Sequence, residues 1–176
     1  MQRTRRPPFG RQHVDPVAIA LRLGAAVHWP GAAGVPDRSW RLIAQTRDFD
    51  AWLIAWPGGT AAELHDHGGS RGALHVINGS LVETIPWREE GGEVTLARRE
   101  VHSGVTLAFG AGHVHDVRNE AVVHALSLHV YSPPLASMTY YDRFGDRLMP
   151  RENGWVPSME QASFTESPPV LRLGAP

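Results

Sequence analysis

Two histidine-bearing segments, about fifty residues apart, place the strongest constraint on how this chain can fold. The first carries His65 and His67, and the second carries His113 and His115. Side chains two positions apart on an extended strand project to the same face, so His65 and His67 can hold one ion between them. The third imidazole must come from the second segment. Three neutral nitrogens that leave open positions on the ion predict a reactive metal site and not a closed structural one.

Composition limits what else the chain can do. None of the 176 residues is a cysteine, so any metal must be held by nitrogen and oxygen. A formal net charge of -1 offers no broad basic surface, and we therefore expect no nucleic-acid partner. No stretch reaches the roughly 20 apolar residues of a membrane span, which argues against a membrane partner. The basic N-terminus lacks the apolar core of a secretory signal, which predicts a cytoplasmic protein.

The length predicts a single domain with two extensions. Residues 1–12 are interpreted as a flexible N-terminal tail, and residues 13–149 as the domain itself. Residues 150–176 are rich in Pro, Gly, Ser and Glu with scattered apolar anchors, which predicts an extended segment packed on the domain. We expect a monomer or a weak homo-oligomer.

The hydrophobic period changes along the domain. Asp15 and Pro16 precede an apolar pattern of helical period, which predicts a helix with Asp15 as its N-cap. From Trp40 the pattern is that of strands, beginning with a hairpin formed by residues 40–45 and 49–56. Short strands separated by turns continue to Tyr131. Regular short strands of this kind are typical of a sandwich or barrel.

Glycines and an asparagine flank the histidines at a spacing that resembles the two signature motifs of the cupin family of β-barrels. These residues are Gly59 and Gly79 around the first segment, and Gly104, Gly112 and Asn119 around the second. The resemblance implies a mainly β fold, a cupin or jelly-roll barrel with a short helical N-terminal region. A typical cupin also offers a glutamate ligand shortly after the histidine pair. Arg71 and Gly72 stand there in this chain, which leaves three histidines.

Within the cupins, the chain resembles the thiol dioxygenases, especially cysteine dioxygenase. Residues 127–134 read Ser-Leu-His-Val-Tyr-Ser-Pro-Pro and resemble a segment of that family, and residues 114–119 resemble its third-ligand segment. The resemblance covers roughly residues 40–142. It implies that His65, His67 and His115 hold Fe(II), and that Tyr131, His129 and Ser127 form a catalytic hydrogen-bonded relay beside the metal.

The same resemblance implies a small thiol substrate and O2, with oxidation of L-cysteine to cysteine sulfinate as the expected reaction. Arg41 falls near the family's substrate-carboxylate arginine, with Arg38 and Arg71 as rivals, and Tyr131 is expected to contact the substrate as well. Gly72 occupies the place where the animal enzymes have a cysteine that crosslinks to the tyrosine. A chain without cysteine cannot form that crosslink.

Several alternatives stay open at this point. His113 competes with His115 as the third ligand. Another small thiol carboxylate, such as 3-mercaptopropionate, is an alternative substrate. A cupin that binds a metal as a sensor without turnover belongs to a different functional class, although the presence of all three relay residues favours turnover. A zinc or nickel isomerase or hydrolase also fits, because nitrogen ligands do not choose the metal.

Overall fold

A single helix precedes the strands in the part of the chain that the computed structural model describes, residues 14–27, 34–88, 94–145 and 147–151. Helix α1 spans Pro16–Ala26, and the side chain of Asp15 caps it by accepting hydrogen bonds from the backbone N–H groups of Val17 and Ala18 at 3.0 and 3.3 Å. The predicted N-cap is therefore confirmed. No helix in these ranges is long and apolar enough to cross a membrane. The expected tail, residues 1–12, and residues 152–176 lie outside the described residues.

Strands make up most of the described chain. They are β1 (Ser39–Gln45), β2 (Asp50–Trp56), β3 (Ala61–His65), β4 (Arg71–Asn78), β5 (Ser80–Arg88), β6 (Val94–His102), β7 (Thr106–Phe109), β8 (His115–Arg118), β9 (Ala125–Ser132), β10 (Tyr141–Phe144) and β11 (Arg147–Pro150). The predicted hairpin of β1 and β2 is confirmed, with Trp40 opposite Ile54 and a register shift between Leu42 and Ala44. Its second strand is buried on both faces.

The strands form two main antiparallel sheets and a terminal hairpin. One sheet has the order β1-β2-β9-β4-β7, the other has the order β3-β8-β5-β6, and β10 pairs with β11. Both sheets contribute residues to one buried apolar cluster that includes Trp56, Leu74, Leu81 and Val117. This mainly β architecture with one short helix confirms the predicted fold class, the cupin barrel.

A second apolar cluster covers the outer face of the five-stranded sheet. Ile19 and Leu23 of α1 pack there with Leu128 and Val130 of β9. Every residue of β9 is buried, so its alternate residues point to two different apolar environments. Leu128 and Val130 face the helix, whereas Tyr131 belongs to the cluster between the sheets. The polar residues Ser127 and His129 share the inner face with Tyr131, and strand parity therefore directs all three to the barrel interior.

Candidate metal centre

His65, His67 and His115 lie together at one end of the paired strands β3 and β8. His65 is the last residue of β3 and pairs in register with His115, the first residue of β8. His67 lies two residues beyond the end of β3, in a turn that continues through Gly68 and Gly69 with φ values of 55° and 87°. The expectation that both histidines of the first segment lie on one strand was therefore wrong. A turn that glycine permits brings His67 into place instead.

The three imidazoles face one another. One ring nitrogen from each of His65, His67 and His115 lies within 4.8 Å of the others, and the ring centroids are 4.8 to 5.0 Å apart. Both nitrogens of His67 and Nε2 of His115 are buried and have no hydrogen-bond partner. Nδ1 of His65 pairs with the Glu63 carbonyl oxygen at 2.6 Å, which leaves Nε2 for the centre. Buried polar atoms without partners are costly, and a bound metal ion would satisfy one nitrogen of each ring.

The same three rings are held in the neutral form that binds metals. Burial, together with the neighbouring His115, lowers the pKa of His65 to about 3. Burial also lowers the pKa values of His67 and His115 below their ordinary range. Phe109 stacks on the His67 ring at a centroid distance of 4.7 Å and shields it from solvent. Neutral imidazoles keep their lone pairs available, so this set of donors fits a divalent transition-metal ion.

Sequence analysis missed a buried carboxylate behind the third histidine. Glu83 of β5 is 2% exposed, and its Oε1 accepts hydrogen bonds from His115 Nδ1 at 2.7 Å and from His113 Nε2 at 3.0 Å. Its Oε2 pairs with Arg99 at 2.5 Å. Burial would raise the pKa of Glu83, but these hydrogen bonds lower it well below its usual value. The available signal was the lone acidic residue of a largely apolar strand.

Glu83 also settles the position of His113. Glu83, His113 and His115 form a second group whose donor atoms lie close enough to hold a metal ion. Both carboxylate oxygens are already occupied, however, by the two histidines and by Arg99. His113 Nε2 points at the carboxylate, and its ring stacks on Phe109 at 5.5 Å. The geometry therefore favours His115 as the third ligand and His113 as a partner of the carboxylate behind it.

Replacing Glu83 by glutamine is expected to weaken metal binding about 10- to 100-fold, the usual effect of losing a partner behind a ligating histidine. A carboxylate that accepts from His115 Nδ1–H keeps Nε2 free and makes the ring a better donor. Competition with a chromogenic chelator measures the affinity. The exposed Glu100, on the neighbouring strand β6, provides the matched control Glu100→Gln, which should bind metal as the wild type does. Unchanged affinity in Glu83→Gln would contradict this role.

The three polar residues on the inner face of β9 form a continuous chain of hydrogen bonds. Ser127 Oγ lies 3.0 Å from His129 Nε2, and His129 Nδ1 lies 3.2 Å from the Tyr131 hydroxyl. The Tyr131 ring is 5.1 Å from that of His67, centroid to centroid. Burial lowers the pKa of His129 well below its usual value and raises that of Tyr131. Both groups are therefore neutral at ordinary pH.

A cavity of about 220 Å³ opens beside this chain of hydrogen bonds. His65, His129 and Tyr131 lie in its wall. The remaining wall is mostly apolar and includes Trp40, Trp52, Trp56, Leu135 and Met138. No aspartate or glutamate is among the described residues that line it.

Arg38, not Arg41, contributes the guanidinium of this cavity. Arg38 immediately precedes β1 and lies over the rings of Trp40 and Trp56, at 5.4 and 5.2 Å from their centroids. Within the described residues, no carboxylate lies within ion-pair distance of it. Trp40 and Leu42 pack into the cluster between the sheets, so strand alternation directs the intervening Arg41 to the opposite face. Arg41 is not part of the cavity wall.

The third arginine considered from sequence also lies away from the cavity. Arg71 begins β4 and donates a hydrogen bond to the Val14 carbonyl oxygen at 3.2 Å, beside the start of α1. Its neighbour Gly72 pairs with Tyr131 in the sheet. A Cβ at Gly72 would lie 2.5 Å from the Phe109 ring and would clash with the Val130 carbonyl oxygen. Phe109 therefore fills the space beside Tyr131 that a side chain at this position would need.

A sequence model described as cysteine dioxygenase type I matches residues 33–144, which is more than half of the chain. The chain belongs to the cysteine dioxygenase type I family. The match contains the three histidines, Arg38 and the polar residues of β9. The three histidines and the polar residues beside the cavity therefore lie within the part of the chain that the family model matches.

Two relatives within the family show the degree of similarity. Human cysteine dioxygenase type 1 is 27% identical over 119 residues, and the Danio rerio protein of the same name is 26% identical over 122 residues. Each alignment covers 56% of this chain, and the chain spans about 60% of the length of these curated relatives. A recombinant oxalate oxidase in complex with glycolate superposes with a TM-score of 0.51 at 17% identity, covering 61% of this chain and 57% of that one. The last similarity shows a shared fold.

Proposed function

We propose that this protein is an Fe(II)-dependent thiol dioxygenase that oxidises L-cysteine to cysteine sulfinate with O2. One observation carries the proposal. A histidine of the candidate metal centre, a neutral tyrosine and a guanidinium without an ion-pair partner among the described residues all line one cavity, through His65, Tyr131 and Arg38. The proposed reaction balances, because the thiol sulfur loses four electrons, O2 gains four, and both oxygen atoms end on sulfur.

The proposed metal ligands are His65, His67 and His115. Ferrous iron held by three neutral imidazoles would supply adjacent open positions for a thiolate and for O2. The chain's contribution is to hold three nitrogens in place, with Glu83 fixing the orientation of His115. The buried rings also keep water away from the centre, since all three histidines are at most 4% exposed.

Arg38 is the proposed anchor for the substrate carboxylate. A guanidinium presents donors in a planar fork that matches a carboxylate, and two parallel charge-assisted bonds fix orientation as well as affinity. Burial lowers the pKa of Arg38, yet a guanidinium stays charged at ordinary pH. The rings of Trp40 and Trp56 hold its position. This replaces Arg41, the arginine that sequence analysis had preferred.

Tyr131 is the proposed donor to the substrate or to the oxygen that reacts with it, and it stays protonated because burial raises its pKa. His129 orients the hydroxyl, and Ser127 orients His129. Such a chain of polar groups is expensive in an apolar interior unless its members bond to one another. Its presence beside the histidines favours an enzyme that turns over substrate, and argues against a sensor that only binds a metal.

The decisive experiment loads the anaerobic protein with Fe(II), adds ¹⁸O2 with L-cysteine, and follows oxygen uptake together with product mass. The expected result is stoichiometric uptake and a sulfinate that carries two labelled oxygens. Zinc- or nickel-loaded protein serves as the comparison and should consume no oxygen. If none of the tested thiols causes oxygen uptake, the proposal is contradicted. That result would favour a cupin that binds a metal as a sensor without turnover.

A dioxygenase of a small thiol carboxylate such as 3-mercaptopropionate is the second candidate. The observation that favours it is the absence of any acidic group among the described residues that line the cavity. An ammonium group would find no charge partner there and would have to bind the metal as an amine. Comparing kcat/KM for L-cysteine and 3-mercaptopropionate separates the two, since a preference of more than tenfold for either thiol identifies the substrate.

Replacing Arg38 by glutamine is expected to raise KM for a thiol carboxylate about 10- to 100-fold, the loss of roughly 1.5 to 3 kcal/mol from hydrogen bonds to a charged group. Metal content should stay the same, because Arg38 is not one of the proposed ligands. The matched change Arg41→Gln tests the arginine on the opposite face of β1 and should leave KM within about twofold. If Arg41→Gln raised KM instead, the assignment of the carboxylate to Arg38 would be wrong.

A further inference from the structure

A tryptophan on the neighbouring strand extends the hydrogen-bonded chain of β9. The indole Nε1–H of Trp56 donates to Ser127 Oγ at 2.8 Å, and both residues are 0% exposed. β2 and β9 are paired, so the sheet itself sets this contact between residues 71 positions apart. The Trp56 ring also lies 6.3 Å from the His129 ring, centroid to centroid. Four side chains therefore form one continuous series from Trp56 to Tyr131.

The chemistry of indole gives this series a direction. An indole nitrogen donates a hydrogen bond and never accepts one, so the hydroxyl hydrogen of Ser127 cannot point at Trp56. Among the described residues, the one other partner of Ser127 Oγ is His129 Nε2, at 3.0 Å. Ser127 therefore satisfies both of its neighbours by accepting from Trp56 and donating to His129.

This direction passes to the tyrosine. If His129 Nε2 accepts from Ser127, the neutral imidazole must carry its hydrogen on Nδ1. His129 Nδ1–H then donates to the Tyr131 oxygen, 3.2 Å away. The Tyr131 hydroxyl hydrogen is left without a partner on the relay side and is directed to the cavity that Tyr131 lines.

We infer that Trp56 is a positioning residue that sets the direction of the relay, so that Tyr131 presents its O–H to the cavity as a hydrogen-bond donor. The use of that donor rests on the proposed function, whereas the direction itself does not. It follows from four side chains and their three hydrogen bonds. A ligand atom that accepts a hydrogen bond, such as a carboxylate oxygen, would then be preferred beside Tyr131.

The opposite direction fails at the buried end of the series. With the hydrogen on His129 Nε2, Ser127 Oγ would accept from both His129 and Trp56, and its own hydrogen would have no acceptor among the described residues. Ser127 is fully buried, so water cannot replace the missing partner. At the other end, Tyr131 borders the cavity, where water or substrate can accept from its hydroxyl. The unsatisfied group is therefore tolerated at Tyr131 and not at Ser127.

Nitrogen-15 NMR of the histidine rings in the metal-free protein tests this inference without substrate, iron or turnover. The resonances of His129 are assigned as those lost in His129→Gln. The expected result for the wild type is a single neutral tautomer with its hydrogen on Nδ1. A wild-type ring with its hydrogen on Nε2 would overturn the inference, whatever the oxygen-uptake experiment gives, so the two proposals can fail separately.

The variant Trp56→Phe tests the role of the indole N–H. It keeps an aromatic ring below Arg38 but removes the N–H that occupies one side of Ser127 Oγ. The smaller ring leaves room there for a water molecule, which can accept the Ser127 hydrogen and so permit the opposite direction. The expected result is a shift from one His129 tautomer to a mixture, with at least a fivefold rise in the share of the Nε2–H form. The control Trp87→Phe loses an indole N–H at a residue 56% exposed and should leave the tautomer unchanged. A folded Trp56→Phe protein with the wild-type tautomer would overturn the role of Trp56, and the wild-type measurement remains decisive if the variant does not fold.

Discussion

Replacing His67 by alanine is expected to abolish metal binding, with an affinity loss greater than the roughly 100-fold that removal of an outer partner costs. The ring supplies one of three nitrogens, and none of the described residues lies ready to replace it in the group formed with His65 and His115. Metal content after dialysis, measured by mass spectrometry, should fall to background. The matched change His102→Ala removes an exposed histidine of β6 and should leave the metal content unchanged.

The same variant should keep its fold, which separates loss of a ligand from loss of structure. Removing a buried side chain leaves a cavity, but both ring nitrogens of His67 are buried without partners in the metal-free protein. Deleting these unsatisfied groups offsets part of the cost of the cavity. We expect the Tm of the metal-free protein to change by a few degrees and the stabilisation by added metal to disappear. Normal metal retention in His67→Ala would refute the assignment of the centre.

Replacing Tyr131 by phenylalanine is expected to lower kcat by about 100-fold or more, within the range typical of a positioned proton donor. The change removes the only hydroxyl at the end of the relay, while the ring still packs against His67 and Phe109. His129 Nδ1 also loses its partner. Steady-state oxygen uptake at saturating thiol measures kcat, and the same samples are assayed for iron.

Metal content distinguishes this effect from the previous one. Tyr131 is not a proposed ligand, so Tyr131→Phe should retain a full complement of iron and differ from His67→Ala in this respect. A kcat within about threefold of the wild type would show that the hydroxyl takes no part in turnover. A variant with low activity and low iron would place Tyr131 in the metal site itself, which would contradict the relay.

The comparison of these residues with the sequence shows which features could be predicted. The helix cap at Asp15, the β1–β2 hairpin and the shared face of Ser127, His129 and Tyr131 all follow from local periodicity. A period of two assigns alternate residues of one strand to one face, whatever the rest of the fold does. The resemblance to known motifs added the pairing of the two histidine segments. Both the periodicity and each separate motif depend on residues that are close together in the chain.

Which arginine lies at the cavity could not be predicted from local patterns. The sequence offered three arginines, and alternation along β1 directs Arg41 to the face opposite Trp40 and Leu42. Which face of β1 borders the cavity depends on how β2 and β9 align beside it, and that alignment is long-range. The chain enters β1 just after Arg38, which places this guanidinium over two tryptophans at the cavity. Position along the motif therefore suggested Arg41, whereas the packing of the sheet places Arg38 at the cavity.

The candidate metal-binding histidines, the mainly β class and the polar series on β9 were all readable in the amino-acid order, because each depends on residue type and short spacing. Glu83 behind His115, Trp56 behind Ser127 and the glycine turn that carries His67 became visible in the folded chain. The Glu83 and Trp56 contacts join strands that are distant in sequence, and the turn at His67 depends on where β3 ends. Such contacts are fixed by strand register and sheet packing, which no local pattern encodes.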